Sequence, residues 1–366
     1  MNILPLSNEQ LEDYYQSALA LLKALIRTPS LSKEEAQTGD LLSDKLEAQG
    51  ISFERKHHNL WMRNKYFHAD KPTLLLNSHH DTVKPNEGYT LNPFDPLVKE
   101  EGKLSGLGSN DAGASLVALL HTFIHFYEID LPINLVFAAT AEEEISGENG
   151  LRSILADLGP IDYALVGEPT EMKMAIAEKG LMVLDVYAKG VAGHAARDIG
   201  ENAIYKAMQD VAWFKNHVFD RKSSTLGPVK MAVTMIEAGY QHNLIPDTCH
   251  FVVDVRTTDA YTHSEILGLI NQKISSLVRP RSTHLNPSGL SHDHILIQAA
   301  TRLGTDQFGS PTLSDQCLMP FPSAKMGPGL SERSHSADEF IYLDEIKQGI
   351  KGYIDLITTL SKITPK

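Results

Sequence analysis

His79, Asp81, Asp111, Glu143, Glu144 and Glu168 stand at the ends of expected strands in the first half of the chain, and His335 follows near the C-terminus. Two imidazoles with several carboxylates and no thiolate are a donor set for two divalent metals that share one bridging carboxylate. Zn²⁺ suits such a set best, and Co²⁺ or Mn²⁺ could also occupy it. Two ions about 3.5–4 Å apart polarise a carbonyl and lower the pKa of a water between them. A carboxylate left unligated can take that water's proton and pass it to a leaving amine. The chemistry implied is hydrolysis of an amide.

The spacing of each motif bears on its role. In His79-His80-Asp81, residues 79 and 81 share a side because the side-chain period of a strand is two, and His80 points away. A carboxylate beside a ligating imidazole fixes the orientation of the ring. Asp111 follows the loop Ser105-Gly-Leu-Gly-Ser-Asn110 and opens an apolar helix from Ala112, where it can serve as N-cap, as bridging carboxylate, or as both. Glu142-Glu143-Glu144 follows an apolar strand; three consecutive acids there need either solvent or cations to offset their repulsion. Glu168 stands in Gly167-Glu-Pro-Thr170 at the end of another strand. Four strands thus each deliver acids or a histidine to one edge, and ligand sites of open α/β sheets lie outside the strand C-termini. His335, in Ser334-His-Ser-Ala-Asp338, follows the loop Gly327-Pro-Gly329 and supplies a second imidazole.

Alternating elements must position these groups. Apolar residues at helical spacing predict helices over 11–26 and 32–49. Strands are expected at 73–78, 133–140 and 163–167, with helices at 112–127 and 147–155 between them. Such alternation implies a mostly parallel sheet with helices on both faces, an α/β fold. After about Lys173 the pattern changes to longer strands at 180–190, 230–238 and 248–256 with one helix at 202–217, which reads as an inserted α+β sandwich with one helix layer. Residues 280–291 read as loop, and the chain ends in a helix over 343–360. The expected organisation is a catalytic domain at 1–173 and 285–366 interrupted by a domain at 174–284.

Bulk properties narrow the class. The 366 residues are 42% apolar, enough for a large core. The net charge of −13 argues against a nucleic-acid surface. No stretch approaches the roughly 20 apolar residues of a membrane span, and the first 16 residues do not resemble a signal peptide. Two widely separated cysteines, Cys249 and Cys317, form no disulfide framework and suit a reducing, cytoplasmic compartment.

Several separated motifs, in order, carry a family resemblance. Ser78-His-His-Asp-Thr-Val83, Gly106-Leu-Gly-Ser-Asn-Asp111, Ala141-Glu-Glu-Glu-Ile145, Gly167-Glu-Pro-Thr170 and Gly327-Pro-Gly329 with His335 resemble the co-catalytic zinc deacylases and exopeptidases. That family includes acetylornithine deacetylase, succinyl-diaminopimelate desuccinylase, aminoacylase and a carboxypeptidase. The resemblance runs nearly end to end. It implies that Asp111 bridges two metals, with His79 and Glu168 on one and Glu144 and His335 on the other. It makes Glu143 the general base and Asp81 the group that orients His79. It also implies that the inserted domain is a lid and dimerisation domain of a homodimer. From there His194, in Gly193-His194, would reach the partner subunit's site and stabilise the oxyanion. Asn243 and Arg256 would bind substrate, Arg256 gripping an α-carboxylate, and Gly329 falls among the substrate-binding residues.

The chain departs from the wider family in two places. Glu142-Glu143-Glu144 replaces the usual Asp-Glu-Glu, and Ala112-Gly-Ala-Ser115 replaces a common Met-Lys-Gly-Gly. The run Ser109-Asn-Asp-Ala-Gly-Ala-Ser115, with Ala177-Glu-Lys-Gly-Leu-Met182, Gly193-His-Ala-Ala-Arg-Asp198 and Pro311-Thr-Leu-Ser-Asp-Gln316, resembles a shorter subgroup of arginine biosynthesis. It implies a small-molecule substrate, an N-acetyl or N-succinyl ornithine or citrulline. A succinyl carboxylate would need a cation, for which Arg197, Lys179 and Arg333 are candidates. The alternatives are a succinyl-diaminopimelate desuccinylase and a di- or aminopeptidase on the same fold.

Overall fold

A computed structural model describes residues 6–99, 102–197 and 199–364. The chain divides into two compact units. The first comprises Met1–Ile176, Leu290–Phe308 and Ser314–Lys366, and the second Ala177–Gly289 with Gly309–Leu313. The second unit begins at Ala177 and ends at Gly289, where 174 and 284 are expected, and a short return, residues 309–313, also belongs to it. There Ser310 O accepts the Lys179 N–H at 3.1 Å, and a Cβ on Gly309 would lie 2.4 Å from Thr225 O.

The first unit is built on a sheet. Its order is Glu54–Lys56, Asn59–Arg63, Asn134–Thr140, Thr73–His79, Tyr163–Val166, Ser323–Lys325 and Met174–Glu178. The four strands Asn134–Thr140, Thr73–His79, Tyr163–Val166 and Ser323–Lys325 pair in parallel, and the flanking strands are antiparallel. Every residue of Thr73–His79 and Asn134–Thr140 is buried, as expected for strands covered on both faces. The period of two sorts their side chains. Leu74, Leu76, Leu135 and Phe137 join one core with the helices Asn8–Arg27, Ala114–Phe126 and Leu343–Ile363. Leu75, Val136, Ala138 and Ala164 face the other side against Leu151, Ile154 and Leu158. The sheet is therefore the middle layer of an α/β fold.

Local sequence explains most element ends and corrects several expectations. Ser7 and Gln10 form a capping box that opens Asn8–Arg27. The second helix runs Ala36–Ala48 and not from Ser32, whose hydroxyl is turned to Asp81. The expected helix at 147–155 shrinks to Leu151–Ile154. The helix expected from Ala112 begins at Ala114. A further helix lies at Ile295–Arg302.

The second unit is a four-stranded antiparallel sheet in the order Lys230–Ala238, Thr248–Thr257, Gly180–Lys189 and Leu277–Pro280. Alternate residues Met182, Leu184, Val186 and Ala188 meet Phe251, Val253 and Val255 in its core, with Ala203, Ala207 and Phe214 from the helix Ala203–Asn216. A second helix, His263–Lys273, adds Ile266 and Ile270. Its capping box, Thr262 with Glu265, is a start signal legible in the sequence.

Candidate active site

Three parallel strands bring their C-terminal ends to one edge. Thr73–His79 ends on His79, Asn134–Thr140 leads to Glu142–Glu144, and Tyr163–Val166 leads to Glu168. The fourth, Ser323–Lys325, leads through Gly327 and Gly329 to His335. Asp111 does not come from a strand; it arrives in the loop ahead of Ala114–Phe126. Nor does it cap that helix: the N-cap position is Gly113, and the Asp111 carboxylate turns to the imidazoles.

The distances bring six of the seven predicted groups together. His79 Nε2 lies 3.3 Å from Asp111 Oδ1 and 3.8 Å from Glu168 Oε1. His335 Nε2 lies 2.9 Å from Glu144 Oε2 and 3.6 Å from Asp111 Oδ2. Asp111 thus presents one oxygen to each imidazole. Donor atoms of His79, Asp111 and Glu144 fall within 4.8 Å of one another, as do those of His79, Glu143 and Glu168.

Asp81 has a wider role than orienting a ring. His79 Nδ1 is nearest to the Asp81 backbone carbonyl at 3.0 Å, with the carboxylate Oδ1 at 3.4 Å. The carboxylate accepts the Ser32 hydroxyl at 2.7 Å and the backbone N–H groups of Glu143 at 3.0 Å and Glu144 at 3.2 Å. Asp81 therefore ties the histidine to the acidic turn. Glu142 points away from the site: its carboxylate accepts the Asn149 amide N–H at 3.2 Å and side-chain Nδ2 at 3.0 Å. His80 also points away, meeting Thr38 Oγ1 at 2.9 Å and His58 O at 3.0 Å.

Electrostatics show what the cluster lacks. Burial pushes Glu143 well above the usual carboxylate range and Glu168 up to about 8, neighbouring carboxylates adding to both shifts. Burial also raises Glu144, against the pull of His335. His79 would be lowered by burial, but its hydrogen bonds to Asp111 and Asp81 hold it well above the ordinary imidazole value. His335, hydrogen-bonded to Glu144, is raised to about 9. Four carboxylates around two imidazoles are short of positive charge, and all donors are N or O. The residues present fit two divalent ions.

Two supporting acids were not singled out from the sequence. Glu339 is 1% exposed and accepts the backbone N–H groups of Gly108, Asn110 and Asp111. Burial and the Asp111 charge push it up to about 8, while those three donors pull the other way. Asp315 is buried, raised to about 6 by burial, and accepts the Thr140 hydroxyl at 2.8 Å. Its place in Pro311–Gln316 was visible as a motif, but its partner was not.

The remaining predicted residues lie in the second unit, apart from Gly329. His194 is exposed and pairs with Leu244, next to Asn243, whose carbonyl accepts the Ala195 N–H at 3.0 Å. Arg256 forks onto Asp254, Nε at 2.9 Å and Nη2 at 3.1 Å. Of the cations considered for a succinyl group, Arg333 is held bidentately by Glu345 at 2.6 and 3.1 Å, and Lys179 donates to Pro228 O at 2.9 Å. Arg197 is exposed. Among the described residues no helix is long and apolar enough to cross a membrane.

Comparison with known proteins places this architecture. The profile of peptidase family M20/M25/M40 matches residues 75–359. The chain is 27% identical to a succinyl-diaminopimelate desuccinylase of Thiobacillus denitrificans over 292 residues, 74% of this chain and 74% of that protein. It is 27% identical to an acetylornithine deacetylase of Edwardsiella ictaluri over 370 residues, covering 90% of this chain and 94% of that protein. The crystal structure of the YXEP protein of Bacillus subtilis, a dinuclear metal-binding peptidase, superposes with a TM-score of 0.71 at 16% identity over 96% of this chain and 100% of that one. The family profile covers most of the sequence, including the strands that carry the site, and the chain belongs to peptidase family M20/M25/M40, a family of metal-dependent hydrolases.

Proposed function

We propose that this chain is a dinuclear amidohydrolase that removes an acetyl or succinyl group from the α-amine of ornithine or citrulline, a step of arginine biosynthesis. The observation that carries the hydrolytic reading is the Asp111 carboxylate, set between His79 and His335 with Glu143 beside them. His79, Asp111 and Glu168 would hold one ion, and Asp111, Glu144 and His335 the other, with Zn²⁺ the best match to the donors. When bound, the ions supply Lewis acidity that polarises the scissile carbonyl and acidifies a water.

The residues of the chain do the rest. Glu143 takes the proton from the attacking water and delivers it to the nitrogen of the leaving amine. Asp81 keeps the Glu143–Glu144 turn in place by accepting both backbone N–H groups. Arg256 and Asn243 bind the amino-acid end, Arg256 by its guanidinium once a carboxylate replaces Asp254. His194 donates to the developing oxyanion. The second unit is read as a dimerisation domain: among the described residues its strand Lys230–Ala238 lies at a sheet edge and exposes the side chains of Met235 and Ile236, at 53% and 54%.

The resemblance of the motifs to the arginine-biosynthesis subgroup supports the substrate, and the similarity to a desuccinylase supports the alternative. Zinc-loaded protein should release free amine from one of four compounds, N-acetyl- or N-succinyl-ornithine or N-acetyl- or N-succinyl-citrulline. Turnover only of N-succinyl-diaminopimelate or of dipeptides would replace this reading with one of its alternatives.

A further inference from the structure

Two loops far apart in sequence hold each other at the edge of the site. One, residues 105–113, carries Asp111; the other, residues 327–339, carries His335. Glu339 grips the first loop from the second. Its Oε1 accepts the N–H groups of Asn110 at 2.8 Å and Asp111 at 2.9 Å, its Oε2 that of Gly108 at 3.1 Å, and its backbone carbonyl that of Gly106 at 2.9 Å. Asn110 grips the second loop from the first. Its side chain donates to Leu330 O at 3.1 Å and accepts the Leu330 N–H at 3.0 Å, and its Nδ2 lies 3.4 Å from Ser334 Oγ. Asn110 and Glu339 are both buried.

Gly329 makes the second grip possible. It sits at φ 92°, and a Cβ there would lie 2.4 Å from Asn110 Oδ1, the atom that accepts the Leu330 N–H. His335 itself has φ 58°, a left-handed backbone that a non-glycine residue keeps only where its surroundings fix it. Across the two loops Asp111 Oδ2 lies 3.6 Å from His335 Nε2, and the His335 carbonyl also accepts Asn86 Nδ2 at 3.0 Å. The two grips do not touch His79 or Glu168, whose places depend on their own strands.

We propose that Glu339 and Asn110 form a reciprocal clasp, made possible by Gly329, that fixes the spacing of Asp111 and His335 and so acts most strongly on the Asp111–Glu144–His335 metal position. Glu339 is a positioning residue, because it acts through the Asp111 backbone. The proposal rests on the two-metal reading above.

The test is titration of metal-free protein with Zn²⁺ by calorimetry, with bound metal counted independently. Wild type should bind two ions. In Glu339→Gln the side-chain amide would point its hydrogens at the Gly108 N–H. This variant should bind the His335 ion about 10–100-fold more weakly, the usual cost of losing a group that orients a ligand, and weaken the other ion, which shares Asp111, by less. Gly329→Ala, which attacks the clasp from the other loop, should weaken the same ion. His335→Ala identifies which step that is, and adding Glu339→Gln to it should cost little more. Equal weakening of both ions, unchanged binding of both, or a Gly329→Ala that spares the step overturns the clasp. Should Glu339→Gln fail to fold, Gly329→Ala alone decides. If wild type takes up a single ion, the two-metal reading fails and the clasp falls with it; two ions bound with unchanged affinity in wild type and in both variants sink the clasp alone.

Discussion

Glu143 separates a hydrolase from a metal-binding scaffold. Its carboxylate is close enough to His79 and Glu168 to share an ion with them, yet the five other donors suffice for two ions when Asp111 bridges. Under the proposed function, Glu143→Ala should bind two metals as wild type does while kcat falls by about 10²–10⁴-fold, the range of one general acid–base group. Steady-state kinetics with metal counting checks this. Wild-type turnover in the variant would refute Glu143 as the base, and loss of one metal would make it a ligand. Asp81 shows how one side chain serves several neighbours: a carboxylate that accepts Ser32 and two backbone N–H groups stays ionised against burial, and it is held below its ordinary pKa with His79 beside it.

Among the elements, the helix Ala114–Phe126 stands out because it is buried along nearly its whole length and carries a histidine in the core. His121 Nδ1 donates to Val117 O at 2.7 Å, which leaves Nε2 as a buried acceptor with no hydrogen-bond partner among the described residues. Burial pushes the imidazole down to about 4. In the unfolded chain it would titrate near 6.5. Between those values the unfolded chain binds a proton that the folded chain refuses. Stability is therefore full above about pH 6.5 and is lost as pH falls toward about 4, by at most about 3 kcal/mol from this group. Thermal unfolding of wild type and His121→Leu at pH 7 and pH 4.5 tests it: wild type should lose more Tm on acidification. Equal losses would show that His121 is not responsible. The packing of this helix also explains Gly113 at its start, where a Cβ would lie 2.4 Å from Gly108 O.

At the scale of the whole molecule, Arg256 and Asn243, proposed for substrate, belong to a different compact unit from the proposed metal donors. In the proposed dimer His194 would serve the partner's site. Mixing inactive His194→Ala with inactive Glu143→Ala subunits should then restore activity, toward about one quarter of wild type if exchange is random and sites are independent. No recovery after exchange, confirmed by tagging one variant, would count against action in trans.

The sequence by itself determined the layers and where the proposed donors emerge from them. His79, Glu143, Glu144 and Glu168 follow strands whose unbroken apolar runs announce a sheet buried on both faces, and the order of strand, motif and helix leaves little freedom in where those motifs emerge. The alternation in Gly180–Lys189 likewise announces a sheet with one covered face. Only the tertiary structure decided what holds the donors. Glu339 meets Gly108 across 231 residues, Asn110 meets Leu330 across 220, and nothing local to either segment specifies its partner. Asp111 could be read as an N-cap because its sequence neighbours favour one; the distant carboxylate of Glu339 takes its N–H and turns it into the site instead. Spacing along a strand is fixed by backbone geometry, so it can be read from the chain. Spacing between loops is fixed by hydrogen bonds formed only after the chain has folded.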